Sequence, residues 1–456
     1  MSDLTKTTLS DSPQDRPTWF IWPLSRPLTD VQLTLILLPF LWIFGLEQII
    51  PIVLIAWAFI KLILVRKRII VPITAFLFIS FIIWVFASSL SVSGGSDWIV
   101  FGRNITMYVL GLFILLIIVN DTQNGRDINK TVAAILLLSS MITLIAVLFM
   151  VGILPAKFEA ILIHSILPGS LQQSQFVQDN ILLREIGRPN AMLGIHSLST
   201  CKRHLFVFKY SIPGLHYFYG MGWIFHYSDK KQKRWLLIGL LIVQMIVLLF
   251  IASRVAIVAF ITAVGCLTLL RMQHKLRLPF IIIPVLITFF ILFAALIALL
   301  PSNFLTEFIN ETFFSLRADS FSSRMEVYKA TIDLWLSKPF TGWGTPRKIE
   351  TVELAPAGTH GDYLATLFRY GLVGFVFYGA MLSAIWVQII RQLHTVNKLS
   401  VINKKARNFH NTTFVIFLAL TICGLAYGFY FDLSFVILNW TVIGLIHVKS
   451  STIITS

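Results

Sequence analysis

Charge is the scarcest thing in this sequence. Asp, Glu, Lys and Arg make up only 13% of 456 residues, about half the share of a soluble globular domain. Cysteine is nearly absent too. Of three, Cys266 and Cys423 fall inside apolar runs and Cys201 has no obvious mate, which excludes a disulfide framework and a zinc cluster of ordinary spacing. No two carboxylates stand at i, i+2, so the Asp-x-Asp device of metal-dependent glycosyl transfer is missing, and there is no phosphate-cradling glycine loop. The first thirty residues hold Asp3, Asp11, Asp15, Pro13, Pro17 and Pro23, and no apolar run begins before Val31. A cleavable leader is therefore not expected, and residues 1–30 read as a disordered cytoplasmic tail.

What is abundant is apolar length. Hydrophobic residues form 57% of the chain, with a mean hydropathy of +0.81. Runs near the roughly 20 residues that cross a bilayer recur along it, whereas the short alternating segments of a membrane barrel do not. The expectation is an all-α, polytopic integral membrane protein, with residues 31–456 forming a single membrane domain. About twelve spans are predicted, near 31–46, 48–65, 69–90, 101–119, 131–153, 205–227, 235–252, 255–270, 279–300, 370–390, 411–428 and 433–448. The stretch 201–217 is the weakest of these, since Lys202, Arg203, His204 and Lys209 stand where lipid should begin; an amphipathic entry to the sixth span accounts for it.

The net charge of +16 is distributed by loop. Arg66-Lys67-Arg68, Lys230-Lys231 with Lys233-Arg234, Arg271 with Lys275 and Arg277, and the run from Arg391 to Arg407 fall on alternate connections. By the positive-inside rule these are cytoplasmic, as are both termini. The same distribution argues against a nucleic-acid partner. The opposite, periplasmic face receives two long loops, 154–204 and 301–369; connections of that length are usually functional.

Three polar islands lie on that outer face. Ser253-Arg254 ends the seventh span, where snorkelling to headgroups and a functional cation both account for the arginine. Ser323-Arg324-Met325-Glu326 has the capping-box form, and Met325, Tyr328, Ile332 and Trp335 follow at helical spacing. This predicts an amphipathic helix with Arg324 in its first turn. There the arginine either meets headgroups or, with free N–H groups, suits a phosphate. Thr359-His360-Gly361-Asp362 repeats the capping form ahead of Tyr363 and Leu364. His360 is then a neutral proton acceptor at a helix start, or a solvated loop histidine.

The ordered set resembles the O-antigen ligase and polymerase superfamily. It consists of Ile251-Ala-Ser-Arg254-Val-Ala, Ser323-Arg324 leading to Trp335, Lys338-Pro339-Phe-Thr-Gly342-Trp-Gly344, Thr359-His360-Gly-Asp-Tyr363-Leu, and Tyr370-Gly371-Leu-Val-Gly374, and it covers roughly residues 235–390. Gly361 departs from the Asn or Ser common in the family at that place.

The resemblance implies a bacterial inner-membrane glycosyltransferase that needs no cofactor. Its donor would be an undecaprenyl-diphosphate-linked glycan, and its acceptor lipid A-core, a growing glycan or a protein hydroxyl. Arg254 and Arg324 would hold the diphosphate, and His360 would take or orient the acceptor proton. Arg188 within Gly187-Arg-Pro-Asn190, together with Arg347, Lys348, Asp362 and Tyr363, would add substrate contacts. From another class, a lipid-linked glycan transporter is the rival. It predicts mid-membrane charges on broken helices and inverted repeats, and no repeat is visible.

Overall fold

The computed structural model describes residues 28–153 apart from short gaps in the connections, a piece at 258–267 with isolated positions before it, 319–347, 356–398 without His360, 404–425, and 433–448. Among these residues the chain is helical, as expected. The elements are α1 (Asp30–Ile43), α2 (Ile50–Val65), α3 (Ile73–Ala87, continued by one 3-10 turn), α4 (Gly95–Asp121), α5 (Arg126–Met150), α6 (Val258–Leu267), α7 (Asp319–Trp335), α8 (Asp362–Lys398), α9 (Lys404–Gly424) and α10 (Leu433–Ile446). Among the described residues three stretches are long and apolar enough to cross a bilayer: Ile73–Ser91, Asp97–Asp121 and Asp362–Val396. The predicted spans at 205–227, 235–252 and 279–300 and the first long loop lie essentially outside the described residues.

Polar contacts sort the helix ends into two faces. At one face Lys61 Nζ meets Asp30 at 3.0 Å, Arg66 meets Asp121 at 3.5 Å, and Gln32 Nε2 donates to Thr131 Oγ1 at 3.1 Å. There too Asn120 clasps the backbone of Ile70 through both ends of its amide, at 2.9 and 3.0 Å. Gln392 donates to Val448 O at 3.0 Å on the same side. At the opposite face Arg347 pairs with Asp97 at 3.2 Å, and the Tyr363 hydroxyl donates to Thr421 O at 2.9 Å. For the helices so joined, successive helices run in opposite directions.

Between the faces the helices pack through close approach and aromatic rings. A Cβ added at Gly111 of α4 would run into the Trp440 indole of α10, and one at Gly444 would run into Ile118. Small residues that let backbones approach are how helices associate in lipid, where apolar burial alone gives no preference for protein over tails. Trp440 stacks on Phe78 with ring centroids 4.2 Å apart, and Phe81 meets Tyr108 and Tyr370 edge-on at 5.2 and 5.6 Å. This buried cluster ties α3, α4, α8 and α10 together.

One expectation needs correction. α7 begins at Asp319, four residues before Ser323, so Arg324 stands in the second turn and Ser323-x-x-Glu326 is not its cap. The capping-box pattern fits any Ser three residues before an acid, and nothing between Asp319 and Ser323 breaks a helix. On the same helix the buried side is Val327 and Thr331, while Ile332 is 44% exposed.

Candidate functional site

The site is organised by a break in α8. Gly371 has φ 66° and ψ −172°, so the helix stops at Tyr370 and restarts at Leu372. A break leaves carbonyls without their usual partners, and a loop supplies the donors. Trp343 N donates to Phe368 O at 3.0 Å, Gly344 N to Arg369 O at 2.7 Å, and the Trp84 indole to Tyr370 O at 2.8 Å. In return Leu372 N reaches Pro339 O at 2.7 Å. Gly342 and Gly344 have φ of 69° and 73°, and a Cβ on Gly342 would meet the Arg369 backbone. The Lys338–Gly344 motif therefore has a structural task, to thread the break and hold α7 against α8. Trp343 completes it, donating to Leu334 O at 3.0 Å under the ammonium of Lys338.

The second half of the loop folds over the start of α8. Arg347 and Ala357 exchange two backbone hydrogen bonds, at 3.2 and 2.7 Å. Gly358 N donates to Thr331 Oγ1 at 3.2 Å, fastening the loop to α7. Arg369 reaches back one helix stretch and clamps Gly358 O with Nε and Nη2, at 3.0 and 2.7 Å. The Thr359 hydroxyl donates to Pro356 O at 2.6 Å. α8 begins at Asp362, so Thr-x-x-Asp is a turn followed by a helix start, not the capping box expected from sequence. Gly361, with φ 75°, makes that turn while approaching the Leu425 carbonyl at the end of α9.

Beneath this loop lies a cavity of about 110 Å³. Val100, Arg103, Asn104 and Tyr108 face it from α4, and Asp362, Ala365, Thr366 and Arg369 from α8, with Pro346 and Thr359 at the rim. Both sets follow helical spacing, so each is one face of its helix. The helices enter from the same side, which brings two guanidiniums towards one space, with the first turn of α8 at Asp362 beside them. The acidic counterweight is Asp362, buried and accepting a hydrogen bond from the Tyr378 hydroxyl.

The expected site residues separate accordingly. Asp362 lines the cavity, and Arg347 stands beside its rim residue Pro346, held by Asp97 and 5.2 Å from the Trp343 ring. Tyr363 turns instead towards α9 through its bond to Thr421. Arg324 is placed only by its backbone on α7, and Arg188, Arg254, Lys348 and His360 lie outside the described residues. Sequence reasoning missed Arg103, Asn104 and Arg369. The available signal was an Arg-Asn pair at the head of an apolar span and an arginine just before Tyr370-Gly371.

These features define a polytopic helical membrane protein with a cation-lined cavity at one end of its bundle. Residues 218–379 match the model of the O-antigen ligase family, the one its motifs resemble. The matched segment takes in α7, the threading loop and the first half of α8, whereas α4 and its Arg103 stand outside it. Among curated proteins none matches this chain.

Proposed function

We propose that the protein transfers a glycan from an undecaprenyl-diphosphate carrier to an acceptor hydroxyl at the periplasmic face of the bacterial inner membrane, with lipid A-core as the acceptor. The observation that carries this reading is the cavity between α4 and α8. In a chain with an O-antigen ligase segment, its Arg103 and Arg369 stand under a loop whose rim residue Thr359 immediately precedes His360.

The chemistry asks for two things. A sugar hydroxyl is a weak nucleophile at neutral pH, and a positioned base accelerates its attack by about 10²–10⁴-fold. His360 takes that proton as the acceptor oxygen bonds to the anomeric carbon. The bond from that carbon to the phosphate oxygen breaks in line, with inversion, and the lipid diphosphate leaves with the electron pair. Its developing charge is met by Arg254 and Arg324, cationic donors placed for the transition state. This reading assigns the compensation to arginine and backbone N–H groups, with no metal.

Glycan analysis of a strain lacking the gene, complemented with wild type or His360→Ala, tests this. Loss of polysaccharide from lipid A-core, with long chains held on the carrier, is the expected result for both the deletion and His360→Ala. Single repeat units still joined to lipid A-core would reassign the protein as a polymerase. An unchanged lipopolysaccharide profile would exclude both and direct attention to protein glycosylation or to transport of the lipid-linked glycan.

A further inference from the structure

We propose that α7 is an interfacial helix, with Ile332, Leu336 and Phe340 immersed in the acyl region of one leaflet of the bilayer. This surface follows from burial and depth and does not rest on the glycan-transfer reading.

From Glu326 onwards, α7 and the turn after it carry three faces. Val327 and Thr331 are buried, and the Thr331 hydroxyl is the group that holds Gly358 N. Glu326, Lys329, Asp333 and Ser337 are exposed and polar. Ile332, Leu336 and Phe340 are exposed and apolar, at 44, 62 and 63%. At about 100° per residue, positions 327 and 331, 332 and 336, and 326, 333 and 337 fall in separate sectors. A helix at a protein–water boundary needs only two faces, one apolar against the core and one polar outside. A further apolar face that no protein covers is what a helix lying in a membrane interface presents. Lys329 stands between the exposed apolar and polar sectors. From there its stem can run along the acyl region with the ammonium among the headgroups.

Depth identifies the occupant. Leu372 N donates to Pro339 O, and a Cβ on Gly371 would strike the Phe340 carbonyl, so the stripe ends beside the break in α8. Its other end is close by, since Thr331 is tied through Gly358 to Arg369, two residues before the break. The break is level with Trp84 of α3, whose indole donates to Tyr370 O. Beyond Trp84, α3 and its 3-10 turn continue to Leu90, about 9 Å further along the axis. Phe86 and Leu90 on that stretch are exposed, and all of it belongs to the bilayer-length segment Ile73–Ser91. Phe340 therefore lies below the apolar end of a span, not above it. Leu372 and Val376, just past the break, are exposed as well. The α7 stripe thus continues the surface that α8 turns to lipid. In water it would be a contiguous apolar patch with nothing to cover it.

The test uses the full-length protein in lipid nanodiscs of phosphatidylethanolamine and phosphatidylglycerol. Its parent is Cys201→Ser, in which the two remaining cysteines, Cys266 and Cys423, are buried and which serves as the labelling blank. Leu336→Cys and Ser337→Cys, adjacent in sequence but on different faces, each carry a small fluorophore. A nitroxide on the upper acyl chain is expected to quench the label of Leu336→Cys, and aqueous iodide is expected to leave it bright. Ser337→Cys is expected to behave in the opposite way. Phe340→Cys is the second variant and should follow Leu336→Cys, with thermal midpoints like that of the parent in all three. Iodide quenching of Leu336→Cys and Phe340→Cys as strong as that of Ser337→Cys places the stripe in water and overturns the proposal. Protection of both labels from iodide and from the acyl nitroxide overturns it too, because a second copy or another protein surface then covers the stripe.

Discussion

Single residues in this protein divide between those proposed to act on substrate and those that hold the backbone in place for them. His360→Ala should lower the transfer rate by about 10²–10⁴-fold with little change in donor binding, measured by single-turnover assays with purified protein. Gly371 is of the second kind. Its φ of 66° suits glycine, and a Cβ there would strike the Phe340 carbonyl. Gly371→Ala should therefore destabilise the fold by about 1–3 kcal/mol from backbone strain alone, seen as a lower thermal midpoint. Trp84→Phe removes one donor from the same break, leaving Tyr370 O without the bond it accepts at 2.8 Å. A loss of about 1–3 kcal/mol is expected, the cost of an unmet buried acceptor, and the midpoint should again fall.

At the scale of elements, the contact of α4 with α10 depends on glycine. Gly111 lies against Trp440, whereas Gly102, on the same helix, has nothing within 4 Å of where a Cβ would sit. Gly111→Leu should force the helices apart and reduce thermal stability in detergent, with Gly102→Leu as a neutral control on the same helix. Equal effects of the two would show that this packing does not hold the bundle together. The pairing of α7 with α8 is made differently, through the Lys338–Gly344 loop whose N–H groups fill the carbonyls freed at Gly371. A helix break can persist in a membrane only where other protein groups satisfy the exposed backbone, so loop and break stand or fall together.

At the scale of the whole molecule, the alternation of helix directions leads to a prediction about placement. A fluorescent protein fused after Ser456 should fluoresce, and a periplasm-dependent alkaline phosphatase fused at the same point should be inactive, if the basic connections lie inside. The reverse pattern would invert the proposed orientation of the α4–α8 cavity. What the sequence alone determined was helical class and the positions of most of the described helices. Apolar length is a local quantity, readable without knowing what packs on what. The cap at Ser323 was misread because several registers of that polar segment satisfy the same short pattern. Only the tertiary structure decided that Gly342, Gly344 and Gly371 form one device, since a missing Cβ has meaning only beside the backbone it admits. It alone brought Arg103 and Asn104 of α4 to Arg369 of α8. Those residues are more than 250 positions apart in the chain, and no spacing rule links faces of two helices whose meeting is set by how the bundle packs.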